Sequence, residues 1–214
     1  MGTRSEMKAF HLPGACLLIF CLTGMQAHAT LYDLTRITNN GTGLTFNPSD
    51  FTMDVSRYGS GALITFSNNC ELESVVTGMY FLENDLLEFD GFAPPPVSSE
   101  GVVFSVITKN ANLPAGQPYG FDPQNTFAVD ADPAGPKNGL NPGESLGLLF
   151  NLNVSYNDLI AAFDQQVLMA GIHVQALPGG YSESFISTVP EPATLMLLGI
   201  GTFLVQRKKR DTAQ

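Results

Sequence analysis

Hydrophobic and polar residues alternate with a period of two through most of the middle of this chain. Phe51, Met53 and Val55 alternate with Thr52, Asp54 and Ser56, and Ala62, Ile64 and Phe66 alternate less strictly with Leu63, Thr65 and Ser67. The clearest run sets Leu146, Leu148, Phe150, Leu152 and Val154 against Ser145, Gly147, Leu149, Asn151 and Asn153. Successive side chains on a strand point to opposite faces, so each run predicts a strand with one buried face. Residues 31–38, 72–82, 102–108, 168–176 and 181–187 are further strand candidates, divided by clusters of Gly, Pro, Asn and Asp.

One segment has a different period. Ser155 is a suitable N-cap, and Leu159, Ile160, Phe163 and Val167 follow at helical spacing. Asp158 stands three residues after the cap, where a negative charge favours the positive end of the helix dipole. The spacing predicts a short helix over 156–166 that closes one end of the sheets and covers the core. The expected fold is all-β, an antiparallel β-sandwich with one short helix. Signal and sorting segments flank it.

Composition narrows the class. The chain has 214 residues, 44 % of them hydrophobic and only 14 % charged, with 21 Gly, 14 Pro and no Trp. That is too apolar for a disordered acidic tail, and the turn-rich composition suits an all-β domain. The net charge of −10 argues against a nucleic-acid partner, because phosphate binding needs a basic face. Residues 30–189 hold 17 acidic side chains against Arg36, Arg57, Lys109 and Lys137, a formal −13. Such a charge repels anionic polymers unless divalent cations bridge them.

The two ends read as targeting segments. Arg4 and Lys8 precede an apolar stretch over 15–22, and Ala27 and Ala29 supply small residues at −3 and −1 for signal peptidase. Cleavage is expected after Ala29, making 1–29 a signal peptide. Cys16 and Cys21 leave with it, so Cys70 is the single remaining thiol and no intramolecular disulfide or thiolate zinc site is available. Cys70 reads as a small core or loop residue, with an intermolecular bridge as the alternative.

At the other end, Val189, Pro190, Glu191 and Pro192 precede an apolar run of 13 residues over 193–205. A helix of that length covers about 20 Å, short for a hydrocarbon core of about 30 Å, although bilayer thinning can meet the difference. Arg207, Lys208, Lys209 and Arg210 follow and should stay cytoplasmic by the positive-inside rule.

The Val-Pro-Glu-Pro motif, the short span containing Gly199 and Gly201, and the basic cluster together resemble the PEP-CTERM (VPEP) sorting signal. The same tail also carries the name ice-binding protein C-terminal domain, a label for the tail and no sign of ice binding. The resemblance implies recognition by an exosortase, an integral-membrane cysteine transpeptidase that removes the tail. It also implies a bacterium with an outer membrane that makes extracellular polysaccharide. An ordinary C-terminal anchor would give the same topology without processing. On this reading 30–188 is a secreted β-sandwich domain and 189–210 the sorting segment. Three stretches, 139–145, 171–175 and 182–185, also resemble the exported domains such proteins carry, and they bring no catalytic residues.

Candidate chemistry in the central domain is sparse. The letters Gly143-Glu144-Ser145-Leu146-Gly147, with Asp158 or Asp164 and then His173 behind them, match a nucleophile elbow in hydrolase order. An elbow needs a strand before its Ser and a helix after it, whereas this Ser follows a Pro-Gly turn and starts a strand. His173 alternates with Ile172 and Val174, so it points away from their face. The acidic stretch holding Asp122, Asp130, Asp132, Asn138, Asn141 and Glu144 is the candidate cation loop. Calcium takes six to eight oxygen ligands, and Asp130, Asp132, Asn138, Asn141 and Glu144 offer oxygens there. Its spacing departs from an EF-hand, with Asn141 in the twelfth position. A carbohydrate platform would need exposed Tyr58, Tyr119 or Tyr181. The segment 93–97, with three prolines, reads as an extended polyproline turn.

The function expected from these features is that of a non-enzyme without a cofactor. It is exported, sorted by exosortase to the cell surface or extracellular matrix, and structural or adhesive among exopolysaccharide. A calcium-dependent carbohydrate-binding module is the alternative. Signal peptidase, exosortase and extracellular polysaccharide are the expected partners.

Overall fold

A computed structural model describes residues 29–82, 85–108 and 110–188. Residues 1–28, where the signal peptide is expected, and the tail from 189 lie outside the described residues. Among the described residues ten strands form in chain order: β1 (Thr30–Arg36), β2 (Phe51–Tyr58), β3 (Gly61–Asn68), β4 (Val75–Leu82), β5 (Leu87–Phe92), β6 (Phe104–Val106), β7 (Thr126–Ala131), β8 (Ser145–Leu152), β9 (Ala170–Leu177) and β10 (Tyr181–Thr188). One helix, α1 (Tyr156–Asp164), lies between β8 and β9. The strands make a single sheet in the order β5-β8-β3-β2-β1-β10-β9-β4-β7-β6, and each neighbouring pair is antiparallel.

The two layers are therefore the two halves of one curled sheet. Phe81 on β4 packs edge-on against Phe66 on β3 and Phe150 on β8, with ring centroids 5.8 and 5.2 Å apart. Phe89 on β5 meets Phe127 on β7 at 5.1 Å. Those pairs cross from one half to the other, which places the core between them. Met53, Val55, Ile64 and Leu148 face it from the first half, and Met79, Val129, Ile172 and Val174 from the second.

The predicted alternation on β8 is present: Leu146, Leu148 and Phe150 are buried. It weakens toward Leu152, which is half-buried, and Val154 lies beyond the strand. The helix forms behind its expected cap, with the Ser155 hydroxyl accepting from the Asp158 amide at 3.2 Å. Leu159 and Phe163 are buried, whereas Val167 lies past the helix and is exposed. The helix packs on the first half: Phe163 lies 5.3 Å from the Tyr32 ring, and the Tyr156 hydroxyl donates to the Val55 carbonyl at 2.8 Å.

Two strands escaped the sequence reading, β5 and β7. The edge strand β5 alternates only over Leu87–Asp90 before its bulge at Gly91 and has no fully buried residue, and β7 is buried on both faces, so one signal is short and the other lacks a period of two. The proline segment also differs from the extended form expected. Val97 N–H donates to the Pro94 carbonyl at 3.2 Å, which makes it a tight turn, and the Pro95–Pro96 bond is cis. The turn is stitched along β8 through Ala93 N–H to the Gly147 carbonyl and Ser99 N–H to the Ser145 carbonyl. A β-carbon on Gly147 would fall within 2.9 Å of Val97, Ala93 and Leu63 side-chain atoms, so only glycine lets this loop close.

Phe150 touches aromatic rings from both halves of the sheet. Phe150→Ala is expected to cost about 3–5 kcal/mol, the range for emptying a buried phenyl site. Urea denaturation measures it. A variant as stable as the parent would contradict this place for the core.

Candidate functional site

The residues singled out for chemistry do not gather at one point. Asp130 belongs to β7, not to a loop, because its strand is hydrogen-bonded to β4 and β6; it opposes Gly78 and Ser105. Burial holds its carboxyl above the usual range. Asp132 follows the strand and is exposed, and its carbonyl accepts from the Asn138 side chain at 2.6 Å. Glu144 closes its own turn: its carboxylate accepts from the Asn141 backbone amide at 2.7 Å and from the Asn141 side chain at 3.0 Å. Gly143 completes that turn at φ +86°, a conformation natural to glycine. Among the described residues no three Asp, Glu, His or Cys side chains converge as a cation site would need.

The hydrolase-like letters separate as well. Ser145 opens β8, and its hydroxyl donates to the Val97 carbonyl at 2.8 Å, fastening the proline turn. His173 sits in the middle of β9 opposite Ser184. It is half-buried, and loss of hydration holds its imidazole below the ordinary value. Tyr58 and Tyr181 are both exposed but mark opposite ends of the sheet, at the β2–β3 and β9–β10 turns. Cys70 is buried, which also pushes its thiol pKa up.

A different group of residues does converge, along the seam where β1 meets β10. Glu183 is 1 % exposed, and its carboxylate accepts from the Gly41 amide at 2.7 Å and from the Thr38 hydroxyl. The Arg36 guanidinium stands 3.9 Å away and lies over the Phe46 ring at 5.4 Å. Arg36 also donates to the Leu44 carbonyl at 3.2 Å. Together these bonds latch the β1–β2 loop onto the seam. They leave a groove of about 760 Å³ between the loop and the seam, lined by Asp33, Arg36, Leu44, Phe46, Asn47 and Thr188 among others. Sequence reasoning missed Glu183 as a buried anion because its partners lie about 140 residues away; the one available signal was a lone acid inside an otherwise neutral strand pattern.

Two chain ends leave the opposite end of the same seam. Thr188, the last residue of β10, opposes Asp33, and β1 begins at Thr30, immediately after the exposed Ala29. A PEP-CTERM protein-sorting motif matches residues 188–210, so it starts on the final residue of the final strand. No curated protein and no solved structure matches the chain. The motif marks an exported protein that exosortase recognises, held transiently in a membrane before processing. Val189, Pro190, Glu191, Pro192 and the basic cluster Arg207, Lys208, Lys209 and Arg210 lie outside the described residues, as does Ala27. Among the described residues no helix is long and apolar enough to cross a membrane, and the run 193–205 is not among them.

Two measurements check these placements. Glu183→Ala strands the Gly41 amide and the Thr38 hydroxyl, so it should cost about 2–3 kcal/mol, with Glu183→Gln costing less. Faster hydrogen exchange at Gly41 would report the freed loop. For His173 the sign follows from its depressed pKa. The stability due to the neutral ring is complete above the ordinary 6.5 and is lost as pH falls, since the unfolded chain takes the proton first. The raised carboxyls of Asp54 and Asp130 act in the other direction, closer to their ordinary 3.8. His173→Gln should therefore flatten the loss of stability between pH 6.5 and about 5 in urea titrations.

Proposed function

We propose that this protein is a non-enzymatic structural or adhesive module of the cell surface or extracellular matrix, delivered there by exosortase. The observation that carries the reading is the junction at Thr188, where the last strand ends and the sorting motif begins. A folded domain that abuts its sorting motif without a linker is itself the delivered cargo. The acidic surface, −13 over 30–189, keeps such a cargo soluble once it is released. Ser145 serves to fasten a turn and Glu144 to close one, which supports a structural account of the residues that resembled a catalytic or cation site.

In this reading signal peptidase removes 1–29, and the apolar run 193–205 then holds the domain at the membrane with Arg207, Lys208, Lys209 and Arg210 on the cytoplasmic side. Exosortase acts at Val189, Pro190, Glu191 and Pro192, and extracellular polysaccharide is the partner afterwards. Intact-mass analysis of the extracellular fraction tests the sequence of events. The expected species begins at Thr30 and lacks the basic cluster. Extracellular molecules that still carry Arg207–Arg210 would overturn sorting by exosortase, and a protein that washes off polysaccharide-bearing cells as readily as off bare ones would overturn the matrix role.

A further inference from the structure

The strand registers decide which loops share an end of the sheet. Starting from Thr188 opposite Asp33, the ladder passes to Thr30 opposite Val55 and to the hairpin closed by Tyr58 and Gly61. It continues through Ala62 opposite Phe150 to Leu87 opposite Leu152, the strand end from which the chain enters α1. On the other half, Ile186 opposes Gly171, and Ala170, just past the turn after α1, opposes Phe81. One end of the molecule thus gathers Thr30 and Thr188, the 58–61 hairpin, α1 and the 165–169 turn. The latched β1–β2 loop, the 69–74 loop and the 132–144 segment lie at the other.

The chain between the fold and its apolar run is short. Only Val189, Pro190, Glu191 and Pro192 separate Thr188 from Ala193. Fully extended, four residues reach at most about 14 Å. The headgroup layer outside the hydrocarbon core takes up about 5–8 Å of that on each side of a bilayer. Little more than one strand spacing of water then fits between this end of the domain and the headgroups. The side chains exposed there suit such a boundary: Leu31, Tyr58 and Val167 are 52 %, 57 % and 60 % exposed. Tyrosine in particular is at home where lipid meets water. Asp85, Asp158 and Asp164 share the end and are also exposed, so an anionic surface does not attract it.

We infer that the tethered protein rests with its α1 and 58–61 end on the lipid headgroups and its latched β1–β2 loop turned away from the membrane. The contact is held by the tether and not by intrinsic affinity, so cutting the tail releases the domain. This inference rests on the membrane anchoring that the sorting motif implies.

The test uses the chain as it stands after signal cleavage, beginning at Thr30 and keeping the sorting tail, with the buried Cys70 as its single native thiol, in phosphatidylcholine vesicles. A fluorophore is attached at Ser60→Cys or Gln165→Cys on the proposed contact end, and at Thr42→Cys or Glu71→Cys on the far end. All four positions are exposed. With a nitroxide-headgroup lipid in the vesicles, fluorescence should be quenched at 60 and 165 and stay at baseline at 42 and 71. A 20-residue Gly-Ser insert after Thr188, spanning about 25 Å on average, should abolish the quenching. Equal quenching at the two ends, or stronger quenching at 42 and 71, overturns the orientation while leaving the anchor intact. Quenching that survives the insert overturns the dependence on the tether. A chain that fails to float with the vesicles overturns the anchor and the inference together.

Discussion

The structure depends on the ladder between its first and last strands. β5, β8, β3, β2 and β1 form one half of the sheet and β10, β9, β4, β7 and β6 the other, and among the described residues β1 with β10 is the one strand pairing that joins them. Asp33 opposes Thr188 across 155 residues of sequence. Closing so long a loop costs entropy before any contact repays it, and pairings of this kind make all-β domains slow to fold. The halves therefore share one continuous backbone ladder only when the last strand is in place.

That arrangement explains the side chains concentrated along the seam. Burying Glu183 would be unfavourable without partners, and the Thr38 hydroxyl, the Gly41 amide and the neighbouring Arg36 supply them. The Ser187 hydroxyl accepts from the Ala170 amide at 3.0 Å, tying β10 to the start of β9. Across the core, Phe66, Phe81, Phe89, Phe127 and Phe150 press the two halves together where no backbone bond joins them. Polar bonds set the seam, and aromatic burial holds the rest.

The same seam connects fold to delivery. Because β1 starts directly after Ala29 and the sorting motif starts on the last residue of β10, the segments that flank the domain adjoin one strand pair. The sorting motif thus adjoins the strand whose pairing closes the sheet. Removal of the sorting motif after Thr188 leaves every described pairing of the ladder in place.

The amino-acid sequence by itself determined the elements whose signal is local. The alternation over Phe51–Val55 and Leu146–Phe150, the Ser155 cap and the Val-Pro-Glu-Pro tail all depend on neighbours within a few residues. Tertiary structure decided what depends on distant partners. β4 is buried along both faces because Leu113 and Phe121, from the segment before β7, cover its outer side at Tyr80. Asp130 became a strand residue because β4 and β6 flank it, and the other residues of the candidate cation loop pair among themselves, Asn138 with Asp132 and Asn141 with Glu144. Glu183 drew its meaning from Arg36, Thr38 and Gly41. Periodicity records which face of a segment is apolar, but a register between strands 155 residues apart is set by packing and hydrogen bonds that exist only once the sheet has closed.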